Sequence, residues 1–219
     1  YGIGKNFTKD IEPEYITISD DSKIAWVTLQ ENNAIAEVDI IGGTVKKIMP
    51  LGFKNYGTAG NEIDPSDRDS KIEFSTLYNK VFGMYLPDAI SQYTYNGVPY
   101  LFTANEGDSR EYAGFSEMRR VGSSSHVLDP TAFPNAAILK TDAQLGRLNA
   151  TTTLGDTDGD GDFDAIYSLG SRSFSVWNAV TGEQVYDSKN ELDRKALELQ
   201  VYDDGRSDDK AVEPEAITI

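Results

Sequence analysis

The sequence predicts an all-β fold, a β-propeller of four-stranded antiparallel blades, and three observations carry that prediction. The segment Glu12-Pro13-Glu14-Tyr15-Ile16-Thr17-Ile18 returns as Glu213-Pro214-Glu215-Ala216-Ile217-Thr218-Ile219, with a looser copy at Leu86-Pro87-Asp88-Ala89-Ile90. Recurrence of a short unit at long range marks a repeat architecture. Residues alternate with period two, Ile24, Trp26 and Thr28 to one side and Ala25, Val27 and Leu29 to the other, as a strand requires. Gly-, Asn- and Asp-bearing turns separate these short runs, so consecutive strands fold back on one another.

Taken in order, the first unit runs from Glu12–Ile18 to the strand Ala25–Leu29 with its acidic turn Gln30-Glu31-Asn32, then to Ala34–Asp39 followed by Gly42-Gly43-Thr44. The second repeats the opening at Leu86–Ile90 and the strand with acidic turn at Tyr100–Gly107. Ser173–Asn178 followed by Thr181-Gly182-Glu183 parallels Ala34–Asp39 and its glycine turn. Blades take roughly 40–50 residues and a ring needs at least four, so the chain has length for about four or five with insertions. That is most, but not all, of a ring, in a single domain or part of one spanning residues 1–219. Two stretches, 55–79 and 114–148, are too irregular for blade strands and read as long surface loops. One helix is expected where Ser188 and Glu191 form a capping box and Leu192, Ala196 and Leu199 form an apolar stripe able to cover a sheet edge.

Lys+Arg 20 against Asp+Glu 36 gives a net charge of 20 − 36 = −16. Such a field repels nucleic acid and anionic membranes and gathers cations or basic surfaces. Cysteine is absent, which removes disulfides, thiolate zinc sites and cysteine nucleophiles. No apolar run approaches the ~20 residues of a transmembrane helix, and no signal-like segment opens the chain. The ends read as those of an excerpt, since the repeat at Glu213–Ile219 begins a strand.

The strongest chemical motif is Asp156-Thr157-Asp158-Gly159-Asp160-Gly161-Asp162-Phe163-Asp164. Like charges at this density repel, and no Lys or Arg lies nearby in sequence, so an oxygen-preferring divalent cation, calcium, is the expected occupant. The pattern D-x-D-x-D-G-x-x-D follows a calcium loop. Asp156, Asp158 and Asp160 would give carboxylate oxygens, Gly161 the sharp turn, Asp162 its carbonyl, and Asp164 the closing ligand. The twelfth position is Tyr167 rather than an acid, so a helix-loop-helix EF-hand is not expected and affinity falls in the ~10⁻⁴ to 10⁻³ M range of extracellular modules. The loop is read as joining blade strands and as structural.

A second, weaker metal site is expected where acids recur at equivalent places. Glu12, Glu14, Asp88, Glu213 and Glu215 stand at strand entries, and Glu31, Glu106 and Asp108 at turns. Inner strands of a propeller line its channel, so Glu14, Asp88, Glu215, Glu31 and Glu106 would converge there. The competing reading is that Pro-Glu and Pro-Asp set turns and cap amides.

His126 is the only histidine and falls in a Ser/Gly-rich stretch, so histidine-based catalysis or zinc binding has little to build on. Arg68, Arg110, Arg119, Arg120 and Arg206 could meet an anion, though each more commonly pairs with a neighbouring acid. No P-loop, nucleophile-elbow or zincin pattern occurs. Asn6 and Asn149 head N-x-[ST] sequons, consistent with secretion.

Further segments carry a family resemblance: Val27-Thr-Leu-Gln-Glu-Asn-Asn-Ala, Leu51-Gly-Phe-Lys, Asp64-Pro-Ser-Asp-Arg-Asp, Thr103-Ala-Asn-Glu-Gly-Asp-Ser-Arg-Glu-Tyr, Leu128-Asp-Pro-Thr-Ala-Phe-Pro, Leu145-Gly-Arg-Leu and Arg206-Ser-Asp-Asp-Lys. With the Asp156 loop and the Asp10–Ile16 segment, they make the chain resemble the choice-of-anchor I domain family. That family includes mesenchyme-specific cell-surface glycoproteins of biomineralising cells and secreted bacterial proteins labelled alkaline phosphatase. The resemblance implies an extracellular propeller with further blades in full-length members, and it supplies no catalytic set. The expected function is therefore a calcium-binding cell-surface or matrix scaffold, its partners being calcium and a mineral, matrix or protein surface. The alternative is a metal-dependent phosphoesterase using the channel acids.

Overall fold

A computed structural model describes residues 10–219 of the chain. In chain order its strands are β1 (Pro13–Ile18), β2 (Ile24–Leu29), β3 (Ala34–Asp39), β4 (Thr44–Pro50), β5 (Phe53–Asn55), β6 (Val81–Met84), β7 (Ala89–Tyr95), β8 (Val98–Asn105), β9 (Glu111–Tyr112), β10 (Phe115–Ser116), β11 (Met118–Arg120), β12 (Asn149–Thr151), β13 (Ile166–Ser168), β14 (Ser173–Asn178) and β15 (Gln184–Asp187). Two α-helices are present among the described residues, α1 (Ala136–Leu139) and α2 (Glu191–Glu198).

The first sheet is the antiparallel meander β1-β2-β3-β4, and the second is antiparallel in the order β7-β8-β14-β15. The repeat marks equivalent strands: β1 and β7, β2 and β8, and β3 and β14 carry the matching segments. Within the paired segments, Thr28 of β2 corresponds to Thr103 of β8, and both are fully buried. The β7–β8 hairpin turns at Asn96-Gly97, both at positive φ (49° and 78°), the requirement of a two-residue turn matched to strand twist.

The two sheets share a core in which Trp26, Ile35 and Met49 of the first meet Ile90, Leu101 and Trp177 of the second. The strands β1 and β7 lie side by side, and Thr28 Oγ1 donates to the carbonyl of Asp88, just before β7, at 3.1 Å.

The remaining strands form a mixed sheet, β11-β12-β13-β6-β5, in which β13 runs parallel to β6. This sheet accounts for the length that would otherwise make further blades. Its strands come from the connection between the two four-stranded sheets (β5, β6) and from the long insertion between β8 and β14 (β11, β12, β13). The expectation of four or five blades is therefore corrected to two four-stranded sheets. Every sheet is open, with no barrel closure among the described residues. A second core of Tyr56, Tyr78, Val81, Val121, Leu145, Leu148 and Ile166 packs the mixed sheet against the insertions. Residues 56–80 carry no regular element, as read from the sequence, whereas 114–148 contributes β10, β11 and α1.

Two further expectations change. Glu213–Ile219 forms no strand, because it pairs with none of the described strands. Helix α2 forms at the expected place but not for the expected reason. Ser188 is buried and its hydroxyl accepts from Phe174 N at 3.0 Å rather than capping the helix. The side chain that α2 buries is Asp193, 3.9 Å from the Arg172 guanidinium, while Leu199 stays exposed. Among the described residues no helix is long and apolar enough to cross a membrane.

Candidate functional site

The Asp156–Asp164 loop joins β12 to β13, strands of the mixed sheet and not of a four-stranded one, which corrects its expected setting. Its stem closes where Asp164 N and Ala165 N donate to the Gly155 carbonyl at 2.8 and 3.2 Å. Within it Gly159 N and Gly161 N donate to the two Asp156 oxygens at 2.7 and 3.1 Å, and Asp162 N donates to Asp160 Oδ1 at 3.1 Å. Gly159 and Gly161 hold φ of +82° and +100°, conformations that side-chain-bearing residues resist. Thr157 donates to Asp164 Oδ2 from both its amide, at 2.8 Å, and its hydroxyl, at 2.5 Å. Those two bonds hold the Asp164 carboxyl below its ordinary range.

Two acid triads result, and they share Asp164. Carboxylate oxygens of Asp156, Asp158 and Asp164 lie within 4.8 Å of one another, and so do those of Asp129, Asp162 and Asp164. The sequence singled out the first triad. Asp160 joins neither, and Asp162 presents its carboxylate to Asp129 rather than only a carbonyl. Asp129 has no motif spacing to the loop. It is delivered by a parallel bridge between Leu128 and Phe163, in which Phe163 N donates to Val127 O at 2.9 Å and Asp129 N to Phe163 O at 3.1 Å. Burial, then the neighbouring Asp160 and Asp129 charges, raise the Asp162 carboxyl.

The acids of the strand entries divide into two groups. Oxygens of Glu106, Glu213 and Glu215 lie within 4.8 Å of one another. Glu106 is also held by Gln30 Nε2 at 2.8 Å and Lys210 Nζ at 3.1 Å, and Glu213 pairs with Arg206. Asp88 faces this group, its carboxyl raised by burial and then by Glu106, Glu14 and Glu215. The other group lines an open cavity of about 410 Å³ whose walls include Glu12, Glu31, Asp108, Glu111, Asp209 and Lys210. Glu31 is 9% exposed, its Oε2 has no hydrogen-bond partner, and burial, with Glu12, Glu14 and Asp108 adding to it, pushes its carboxyl up to about 7. Of the five acids expected in one site, Asp88, Glu106 and Glu215 come together with Glu14 in their field, while Glu31 belongs to the adjoining cavity.

The candidate anion-binding arginines are mostly engaged with acids. Arg110 Nε meets Glu117 at 2.8 Å, Arg120 meets Asp208 at 2.5 Å, Arg206 meets Glu213, and Arg68 lies 3.9 Å from both Asp67 and Asp142. Arg119 is exposed on β11. Of the sequons, Asn6 lies outside the described residues. Asn149 is 4% exposed in β12 and its amide nitrogen, the atom a glycan would take, donates to Asp209 at 3.1 Å, which argues against a glycan there.

Fold and site together define an acid-rich all-β domain whose sequence repeats fall on two four-stranded sheets. A family model for the choice-of-anchor I domain matches residues 2–219, and the chain belongs to that family. Membership implies a secreted or surface-anchored protein. Neither the curated proteins nor the solved structures contain a match to the chain.

Proposed function

We propose that the protein is an extracellular calcium-binding scaffold of the cell surface or matrix, and that its two four-stranded sheets are blades of a β-propeller. The observation that carries this reading is the pair of acid triads sharing Asp164. Six-to-eight-oxygen coordination suits calcium, which accepts irregular carboxylate, carbonyl and water shells. Here the acids are already positioned by main-chain bonds, so binding requires little reordering of the loop. Asp156, Asp158 and Asp164 would hold one ion, and Asp129 with Asp162 would extend the shell toward a second. The partners would be calcium itself and a mineral, matrix or protein surface, recruited through the net charge of −16.

Thermal melting tests the reading. Calcium at ten times its dissociation constant should stabilise by about 1.4 kcal/mol per site, or roughly 3–6 °C for a chain of this size. Asp156→Asn should abolish most of that shift. An unchanged melting temperature at millimolar calcium would sink the structural-calcium claim.

A metal-dependent phosphoesterase is the second reading, favoured by the convergence of Glu106, Glu213 and Glu215 beside the Glu31 cavity. Arg110 and Arg206 are held by acids, so a phosphate would have to be met by Lys210 and by metal. Hydrolysis of a generic phosphomonoester with added calcium, lost in Glu14→Gln and Glu215→Gln, would support it. Activity that is absent, or indifferent to both changes, would remove it.

A further inference from the structure

Two cavities share Glu31 as a common wall. One is the acidic cavity of about 410 Å³, bounded also by Glu12, Asp108, Glu111 and Asp209. The other, of about 440 Å³, is lined mainly by apolar side chains, among them Ile11, Leu29, Ile48, Met84 and Leu154. Glu31 is set between them by the short 3₁₀ turn Gln30–Asn32 that links β2 to β3.

That turn presents hydrogen-bond acceptors that lack donors. Glu31 is 9% exposed and, among the described residues, its Oε2 receives no hydrogen bond. Asn32 lines the apolar cavity and keeps its Oδ1 buried without a donor, while its Nδ2 is fixed by donating to the Asp10 carbonyl at 2.8 Å. The cations on these walls are engaged elsewhere, Lys210 with Glu106 at 3.1 Å and Arg110 with Glu117 at 2.8 Å. Buried acceptors left without donors are costly, so this wall favours a ligand that brings both donors and positive charge. A bare metal ion is the wrong shape for it. Among the described residues, none of Glu12, Glu31, Asp108 and Glu111 belongs to a group of acids whose oxygens converge within 4.8 Å. A guanidinium, by contrast, spreads five N–H donors over a plane and carries no acceptor.

We propose that the acidic cavity takes an arginine side chain of a partner protein, its guanidinium on Glu31, and that the adjoining cavity takes an apolar side chain two residues along the same extended segment. Residues i and i+2 of an extended chain face one side roughly 7 Å apart, which suits two cavities meeting at one residue. The net charge of −16 draws basic surfaces toward the site. Burial, with Glu12, Glu14 and Asp108 adding to it, holds the Glu31 carboxyl up to about 7, and a bound guanidinium would favour its ionised form. The inference rests on the scaffold reading for its protein partner and gives that partner a chemistry, but it draws nothing from the calcium loop.

Titration of the full chain with the peptide acetyl-Gly-Arg-Gly-Leu-Gly-amide, followed by amide chemical shifts in chelator at physiological ionic strength, tests the site. Amides of 29–34 and 107–111 should shift and saturate. Replacing the peptide's arginine with citrulline, which keeps the shape and removes the charge, should weaken binding about tenfold or more, and so should Glu31→Gln in the protein. Replacing the peptide's leucine with glycine should weaken it several-fold. The peptide comparisons use the parent chain, so they decide even where a variant folds poorly. Equal binding of the citrulline peptide, unchanged affinity in folded Glu31→Gln, or shifts scattered over the acidic surface would each overturn the proposal. Unchanged affinity together with a higher melting temperature in Glu31→Gln would identify a buried carboxyl that merely holds a proton, which also overturns it. Failure of the calcium reading appears separately, as a melting temperature indifferent to calcium, and leaves the peptide titration in chelator as it was.

Discussion

His126 shows how far burial alone can change a residue. It is 1% exposed, its ring stacks on Phe163 at 4.2 Å, and neither ring nitrogen has a partner. Burial, then the positive charges of Lys140 and Arg119, pushes its pKa from 6.5 down to about 4. Between those values the unfolded chain takes up a proton that the folded chain refuses, so this residue makes stability fall as pH falls from about 6.5 to about 4. At pH 5 the loss should be about 2 kcal/mol, the free-energy equivalent of the shift from 6.5. His126→Phe keeps the stacked shape and removes the proton site. Denaturant unfolding at pH 7.5 and pH 5 should therefore show a smaller loss in the variant than in the parent. Equal losses would mean that His126 is not buried as a neutral ring.

Among the elements, the decisive junction is where the long insertion leaves β8 and returns before β14. There the two arms pass backbone to backbone. A Cβ on Gly107, at φ +100°, would stand 2.4 Å from Gly170 Cα, and one on Gly170 would stand 2.3 Å from the Glu106 carbonyl. Gly107→Ala should cost about 2 kcal/mol or more, because unfavourable φ adds to a clash with main chain that cannot give way. That is a fall of roughly 4–8 °C in melting temperature. Gly97→Ala, at φ +78° with nothing within 4 Å, should cost only about 1 kcal/mol; parity between the two would refute the close-approach argument. Six strands of the two four-stranded sheets, β1, β2, β3, β7, β8 and β14, were legible in the sequence because they carry repeated segments, whereas β4 and β15 carry none. The strands of the mixed sheet were not legible. β5, β12 and β13 are three residues long, and β13 pairs in parallel with β6 from a different insertion, Ile166 opposite Val81, so no local pattern announces it. The sites follow the same division. The spacing of Asp156, Asp158 and Asp164 is written in sequence, whereas Asp129 reaches Asp162 and Asp164 only once distant segments are brought together. Helix α2 was found through an apolar stripe, yet its anchor is Asp193 against Arg172, a pairing that periodicity cannot express.

At the scale of the whole molecule, the two largest hydrophobic cores among the described residues have no residue in common and divide the work. Trp26, Ile35, Leu101 and Trp177 lock the four-stranded sheets together, while Tyr56, Val81, Leu148 and Ile166 hold the mixed sheet and its loops. The Asp156 loop hangs from the second core, through β12, β13 and the Leu128–Phe163 bridge. Removing the calcium proposed for this loop should therefore release acid repulsion locally and leave the first core closed. Hydrogen exchange with and without chelator checks this. Amides of 155–165 and of 127–129 should lose protection together, because Phe163 N and Asp129 N sit on one bridge. Amides of β2, β3, β8 and β14, whose bonds lie within ladders over the first core, should exchange at unchanged rates. Matching the ionic strength with sodium chloride separates site binding from general screening of the −16 charge, since screening acts across the surface while a coordinated ion acts where its ligands are. Loss of protection spread evenly over both cores would show that calcium acts on the net charge and not through the loop.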